Sequence, residues 1–237
     1  MVRLAACLLL LACALLGSCT APVADKNATA APQPEKSQPL PKVLLIGDSI
    51  SQGYRATVVT ELEREANVTR IPGNGEWTGT GVKKIDDWLG DNDWDVIHFN
   101  FGLWDMYGWP YYDEDRSPQA YAQRLEQIVA RLKQTDATLI WATTTPPCAD
   151  NEVSMRDRFK KPGVVTAEVE KQYLDAAERV MRRHKIQIND LNALVRDDID
   201  TLHTGPDNVH FTGKGNTLLG KQVAEAIRLA IKRRGPR

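Results

Sequence analysis

The sequence has little charge bias, few cysteines and a single long apolar run, and these shortages narrow the possible classes of protein. Its 237 residues carry 30 Lys and Arg against 31 Asp and Glu, a formal net charge of -1. Since neither sign dominates, nothing indicates a nucleic-acid partner or a charged membrane surface. The four cysteines include no Cys-x-x-Cys pair, so no disulfide framework or zinc signature is predicted. No His, Cys and carboxylate cluster has metal-ligand spacing, and we expect neither a metal nor another cofactor.

The long apolar run lies at the amino end of the chain. Residues 4–16 are almost entirely apolar, follow the basic Arg3, and lead into Leu-Gly-Ser-Cys at 16–19. The run is shorter than the roughly 20 residues that span a bilayer, which favours a cleaved export signal. LGSC resembles the lipobox of bacterial lipoproteins, and that resemblance implies removal of residues 1–18 and lipidation of Cys19. The alternative is an ordinary secretory signal cut near Ala21.

The rest of the chain divides into a tether and one domain. Residues 19–41 are rich in Ala, Pro and small polar residues without apolar periodicity, which is typical of an extended tether. From residue 42 to 237, strands alternate with helices. Apolar runs predict buried strands at 42–48, 68–71, 94–102, 137–147 and 186–190, and helical spacing predicts helices at 56–66, 82–90, 118–135, 164–184 and 214–233. This alternation predicts a flavodoxin-like, three-layer α/β/α sandwich with a central parallel sheet.

Chemistry in such a fold is carried by residues that follow the carboxyl ends of the strands. The first strand ends in GDS (47–49), which places Ser49 at a turn into a helix, where free N–H groups can stabilise negative charge. Near the other end, DNVH (207–210) precedes the last helix. A serine hydroxyl needs a base such as imidazole, and the imidazole needs an orienting carboxylate. The alternatives are that Ser49 only caps a helix and that His203 is the base.

Together, VLLIGDSIS (43–51) and DNVHFTGKGNTLLGKQVAEAI (207–227) resemble two sequence blocks of the SGNH (GDSL-type) hydrolases. The resemblance extends from Lys42 to Arg233. It implies an esterase in which Ser49 is the nucleophile, His210 the general base and Asp207 the carboxylate that orients His210.

The family's oxyanion hole uses a glycine N–H and an asparagine side chain, and its counterpart here is less regular. Besides the Ser49 N–H, the best glycine match is Gly75, with Gly79 as the alternative. The family's Gly-x-Asn-Asp block reads GLWD at 102–105. Trp104 thus takes the place of the oxyanion asparagine, and Asn100 is the candidate to replace it.

A segment rich in aromatic and acidic residues, GLWDMYGWPYYDEDRSP (102–118), follows a predicted strand. Aromatic rings and carboxylates beside a cleft suit a carbohydrate, which makes Trp104, Asp105 and Trp109 candidate substrate-binding residues. Alternatively, these aromatic rings only cover the edge of the sheet.

The combined expectation is a monomeric, exported, lipid-anchored serine esterase for short acyl groups, for example acetate on a glycan. Its partners would be the ester substrate and, through the lipid alone, a bacterial membrane. Two alternatives remain at this point: an O-acyltransferase, and a catalytically weak or inactive carbohydrate-binding lipoprotein, which Trp104 favours.

Overall fold

A computed structural model describes residues 39–108, 113–148 and 165–235. The predicted signal segment (1–18), Cys19, all but the last residues of the predicted tether (19–41) and Trp109 lie outside these ranges. Within the ranges, no helix combines the length and apolar character needed to cross a bilayer.

The centre of the fold is a parallel sheet of five strands. The strands are β1 (Lys42–Ile46), β2 (Asn67–Arg70), β3 (Val96–Phe99), β4 (Thr138–Ala142) and β5 (Gln187–Asn189). They lie in the order β2-β1-β3-β4-β5, and every neighbouring pair is parallel. All four residues of β3 are buried, as is expected of a strand covered on both faces. Each strand overlaps one of the apolar runs from which it was predicted.

Helices cover both faces of this sheet. They are α1 (Ser49–Glu61), α2 (Thr78–Leu89), α3 (Leu103–Gly108), α4 (Pro118–Leu132), α5 (Ala167–Arg183), α6 (Leu191–Arg196), α7 (Ile199–Leu202) and α8 (Gly213–Arg234). Helix α4 packs between α2 and α5 in one layer, and α1 packs against α8 in the other. The predicted three-layer α/β/α sandwich with a central parallel sheet is confirmed.

Side chains that cap the helices set where they begin. Helix α1 starts at Ser49, earlier than the predicted residue 56, because the Asp48 carboxylate accepts the N–H of Ile50 at 3.0 Å. Ser117 caps α4 and accepts the N–H of Ala120 at 3.3 Å. Since β1 ends at Ile46, the cap at Asp48 brings the positive end of α1 to the carboxyl edge of the sheet.

A β-hairpin, which the apolar pattern does not predict, precedes α8. Strand β6 (His203–Gly205) pairs antiparallel with β7 (Asn208–Phe211), and Pro206 and Asp207 form the turn between them. Side chains two positions apart on a strand share a face. The hairpin therefore places Asn208 and His210 on one face and leaves Asp207 at its tip.

Candidate active site

The two ends of the domain meet at Ser49 and His210. Ser49 Oγ and His210 Nε2 lie 2.9 Å apart, although the residues are separated by 161 positions in the chain. Ser49 is the first residue of α1, so its hydroxyl lies at the positive end of that helix. Ser49 is half-buried and His210 is exposed, which makes the pair accessible from solvent. A hydroxyl and an imidazole at this distance can exchange a proton.

Asn208 determines which nitrogen of His210 carries the proton. Its Oδ1 lies 2.7 Å from Nδ1 of His210 and also accepts the backbone N–H of His210 at 3.0 Å. Because a backbone N–H can only donate, the atom it reaches must be the amide oxygen. Nδ1 therefore donates to this oxygen, and in the neutral ring Nε2 is left as an acceptor for the Ser49 hydroxyl.

Asp207 does not occupy the position next to His210 that the family resemblance implies. Its carboxylate makes no hydrogen bond or ion pair within the ranges that the structure covers, and it lies exposed at the hairpin tip. The hairpin explains this difference. Strand β7 begins at Asn208 and places the side chain of that residue on the same face as His210. The sequence does not predict an amide at Nδ1, because the group expected to orient a catalytic imidazole is a carboxylate.

The predicted oxyanion donors have different environments. The N–H of Gly75 donates to the carbonyl of Gly47 at 3.0 Å, so this donor is occupied in the structure. The amide of Asn100 donates to the carbonyl of Ala142 at 2.8 Å and approaches Thr144 Oγ1 at 3.5 Å. The N–H of Ser49, at the first position of α1, has no acceptor within its helix and stays available.

Gly79, the alternative glycine, lies in the first turn of α2, where an added Cβ would come within 2.4 Å of the Trp77 ring. It therefore packs against Trp77 instead of lining an open turn.

Asp105 is buried and does not have the exposed position expected of a substrate-binding residue. Its side chain is 0% exposed, and its carboxylate accepts both the N–H of Thr78 at 3.0 Å and the Thr78 hydroxyl at 2.5 Å. Burial raises the pKa of Asp105 to about 6, against the opposing effect of these hydrogen bonds and of Arg124, whose Nη2 lies 3.7 Å away. The residue anchors the start of α2, and its carboxylate is not exposed to a substrate.

Two tryptophans, Trp104 and Trp77, are the sequence neighbours of the hydrogen-bonded pair Asp105 and Thr78. Trp104 is half-buried in the first turn of α3, and its carbonyl accepts a hydrogen bond from Arg116 at 3.0 Å. The guanidinium groups of Arg116 and Arg124 lie 4.0 Å and 4.7 Å from the ring centre of Trp77. Such cation–π contacts fix the ring of Trp77, the residue that directly precedes α2.

The other histidines of the sheet and hairpin are buried. His98 is 0% exposed, and burial lowers its pKa to about 3. His203 packs edge-on against Phe211 with ring centres 4.7 Å apart, and burial lowers its pKa to about 4. The structure thus brings His210 to Ser49 and leaves His203 buried against Phe211. In the part of the chain that the structure describes, no three His, Cys, Asp or Glu side chains are grouped as a metal site.

A serine hydroxyl hydrogen-bonded to an imidazole, at the carboxyl edge of a parallel sheet, is the arrangement used by hydrolases of the serine type. Residues 45–218 match the family described as GDSL-like lipases and acylhydrolases, and the chain belongs to that family. There is no match among curated protein sequences.

Solved structures of similar fold include several esterases. The acetylxylan esterase Axe2 from Geobacillus stearothermophilus shares 19% identity, with a TM-score of 0.64 over 79% of this chain and 94% of that one. A lipase/acylhydrolase from Enterococcus faecalis shares 22% identity, with a TM-score of 0.63 over 80% and 96%. The acetyl xylan esterase AlAXEase shares 14% identity, with a TM-score of 0.62 over 78% and 99%. At these identities the likeness supports the fold.

Proposed function

We propose that this protein hydrolyses carboxylic esters with Ser49 as its nucleophile and His210 as its general base. The observation that carries the proposal is the 2.9 Å contact between Ser49 Oγ and His210 Nε2 at the start of α1. His210 takes the serine proton as Oγ bonds to the acyl carbon, and the N–H of Ser49 faces the developing oxyanion. His210 then protonates the leaving alcohol as its bond to the acyl carbon breaks. Water, activated by the same imidazole, releases the acid.

We further propose that Asn208 orients His210 and that the acyl group is short, for example acetate on a carbohydrate. Exposure of the Ser49–His210 pair suits a bulky glycan, and the half-buried Trp104 offers an indole near the same edge of the sheet. Two of the structures with a similar fold are described as acetylxylan esterases. Trp109 remains a second candidate for this contact.

Ester hydrolysis can be tested with p-nitrophenyl esters from acetate to longer chains, and with acetylated oligosaccharides followed by acetate release. We expect activity that falls with chain length and that both Ser49→Ala and His210→Ala reduce to background. Equal activity in the wild type and both variants would contradict the proposal.

A non-hydrolytic carbohydrate-binding protein is the second candidate, because the Gly75 and Asn100 donors are already occupied. It predicts calorimetric binding of deacetylated oligosaccharides without turnover of any ester.

We also propose export and lipidation at Cys19. Labelling of the full chain in bacteria by a clickable fatty acid, lost in Cys19→Ser, would support it, and equal labelling of that variant would overturn it.

A further inference from the structure

Arg70, the last residue of β2, makes a set of hydrogen bonds to which the proposed ester hydrolysis assigns no role. Its Nε donates to Ser51 Oγ at 2.8 Å. Nη1 donates to the carbonyls of Ile71 at 2.8 Å and Gly73 at 2.7 Å. Nη2 donates to the carbonyls of Gly47 at 2.9 Å and Asp48 at 3.0 Å. A guanidinium has five N–H groups, and here the five contacts use all of them.

Arg70, together with the Ser51 hydroxyl at 2.7 Å and the N–H of Gln52 at 3.3 Å, holds the Asp48 carbonyl and so fixes the direction of the nucleophile's N–H. The Asp48 carbonyl and the Ser49 N–H belong to one peptide unit, which is planar and trans, because the described residues contain no cis peptide. The two groups therefore point in opposite directions. With the carbonyl held on the guanidinium, the Ser49 N–H is directed away from Arg70. The positive charge of the guanidinium, hydrogen-bonded to the carbonyl, also polarises the peptide and strengthens its N–H as a donor.

The same guanidinium joins the nucleophile turn to the loop after β2. The Gly47 carbonyl accepts from both Arg70 Nη2 and the N–H of Gly75, and Nη1 holds the Gly73 carbonyl of that loop. Arg70 thus fixes residues 47–48 and residues 71–73 as one unit. A mobile turn would let the Ser49 N–H rotate away from the oxyanion.

A simple ion pair does not explain this arrangement. Arg70 donates to the backbone carbonyl of Asp48, whereas the Asp48 carboxylate accepts the N–H of Ile50 at 3.0 Å. The guanidinium is half-buried, so water also competes less for its donors.

We propose that Arg70 is a positioning residue that aims and polarises the Ser49 N–H as the oxyanion donor, which rests on the proposed ester hydrolysis. This N–H carries more of the oxyanion charge than in a site with three donors, because Gly75 and Asn100 are engaged elsewhere. Loss of one oxyanion donor costs roughly 10²–10³ in kcat. Misdirection of the donor without its removal should cost about 10- to 100-fold.

The test compares Arg70→Gln and Arg70→Lys with the wild type and with Arg55→Gln, a matched control at an exposed position on α1. Each protein is assayed for kcat and KM on p-nitrophenyl acetate, for inhibition by a boronic acid that forms a tetrahedral adduct, and for melting temperature. Active sites are counted by the p-nitrophenol burst, so unfolded protein does not enter kcat.

The proposal predicts that Arg70→Gln lowers kcat about 10- to 100-fold, with KM changed less than about threefold. The boronic acid should lose affinity by a similar factor, with Arg70→Lys intermediate and Arg55→Gln unchanged. An unchanged kcat per active site, or a lower melting temperature with normal boronic acid affinity, would assign Arg70 a purely structural role and overturn the proposal. Failure of the proposed function itself would look different, because the wild type would then show neither turnover nor burst.

Discussion

Replacing Asn208 by alanine removes the acceptor that the structure places on His210 Nδ1. Two contacts disappear, the 2.7 Å contact to the ring and the 3.0 Å bond from the backbone N–H of His210. The ring then lacks the constraint that makes Nε2 the acceptor, and the tautomer with its proton on Nε2 cannot take the Ser49 proton.

The size of this effect has a lower and an upper bound. A neutral hydrogen bond contributes about 0.5–1.5 kcal/mol, which is roughly 2- to 12-fold in rate. Complete loss of general-base catalysis costs about 10²–10⁴-fold. Because Asn208→Ala removes an orienting bond and leaves the base in place, we expect kcat to fall about 10²-fold, with KM little changed.

The informative comparison is between Asn208→Ala, Asn208→Asp and Asp207→Asn. Asn208→Asp keeps the acceptor and adds a negative charge beside the imidazole, so it should retain activity and move the acid limb of the kcat–pH profile to higher pH. Asp207→Asn alters a carboxylate at the hairpin tip. It should change kcat less than about threefold, which is the usual size of the effect of a surface substitution. If Asp207→Asn lost activity by orders of magnitude while Asn208→Ala stayed active, our assignment of Asn208 would be refuted, and Asp207 would take the role that the family resemblance implies.

Three further predictions concern the surroundings of the site. Gly75→Ala should lower both activity and stability, because its Cβ would lie 2.8 Å from the Gly47 carbonyl oxygen, whereas Gly213→Ala has open space and should leave both unchanged, as activity assays and thermal melts can show. Burial raises the pKa of Asp105 from 3.8 to about 6, so the stability that its neutral form provides is present below pH 3.8 and is lost as the pH rises through 6, by up to about 3 kcal/mol. Urea titrations should show that Asp105→Asn gains stability relative to the wild type between pH 4 and 7, and no relative gain would contradict the burial argument. Burial lowers the pKa of His98 from 6.5 to about 3, so its contribution is present above pH 6.5 and is lost as the pH falls toward 3. His98→Gln should therefore lose less stability between pH 7 and 4 than the wild type, and an equal loss in urea titrations would count against it.

The sheet could be predicted because its strands are short apolar runs followed by turn residues. β1 and β3 are buried along nearly their whole length, so their sequences carry no alternation that could be confused with a helix. The predicted start of α1 was too late, although Ile50, Tyr54 and Val58 are buried at helical spacing from its first turn. The cap at Asp48 fixes the first residue of the helix.

The hairpin of β6 and β7 was missed for a related reason. Its strands have three and four residues, too few for a period to be recognised. The error extended to the site, because a loop would let Asp207 reach His210, whereas a strand brings Asn208 instead.

The role of Arg70 could not be predicted from local sequence at all. Its acceptors near the nucleophile are backbone carbonyls more than 20 positions away, and any residue type can provide a carbonyl. Asp105 shows the same limit in the opposite direction. A carboxylate in an aromatic segment suggests substrate binding, but its distant partner Thr78 makes it a buried anchor.

The measurement that tests the central claim most directly is covalent trapping of the nucleophile. The purified protein is treated with a fluorophosphonate, digested, and analysed by mass spectrometry to locate the adduct. We predict one adduct on Ser49, absent in Ser49→Ala, strongly slowed in His210→Ala, and retained in Ser51→Ala, whose hydroxyl is buried and donates to the Asp48 carbonyl at 2.7 Å. An adduct on another residue, or none on folded protein, would contradict a nucleophilic role for Ser49.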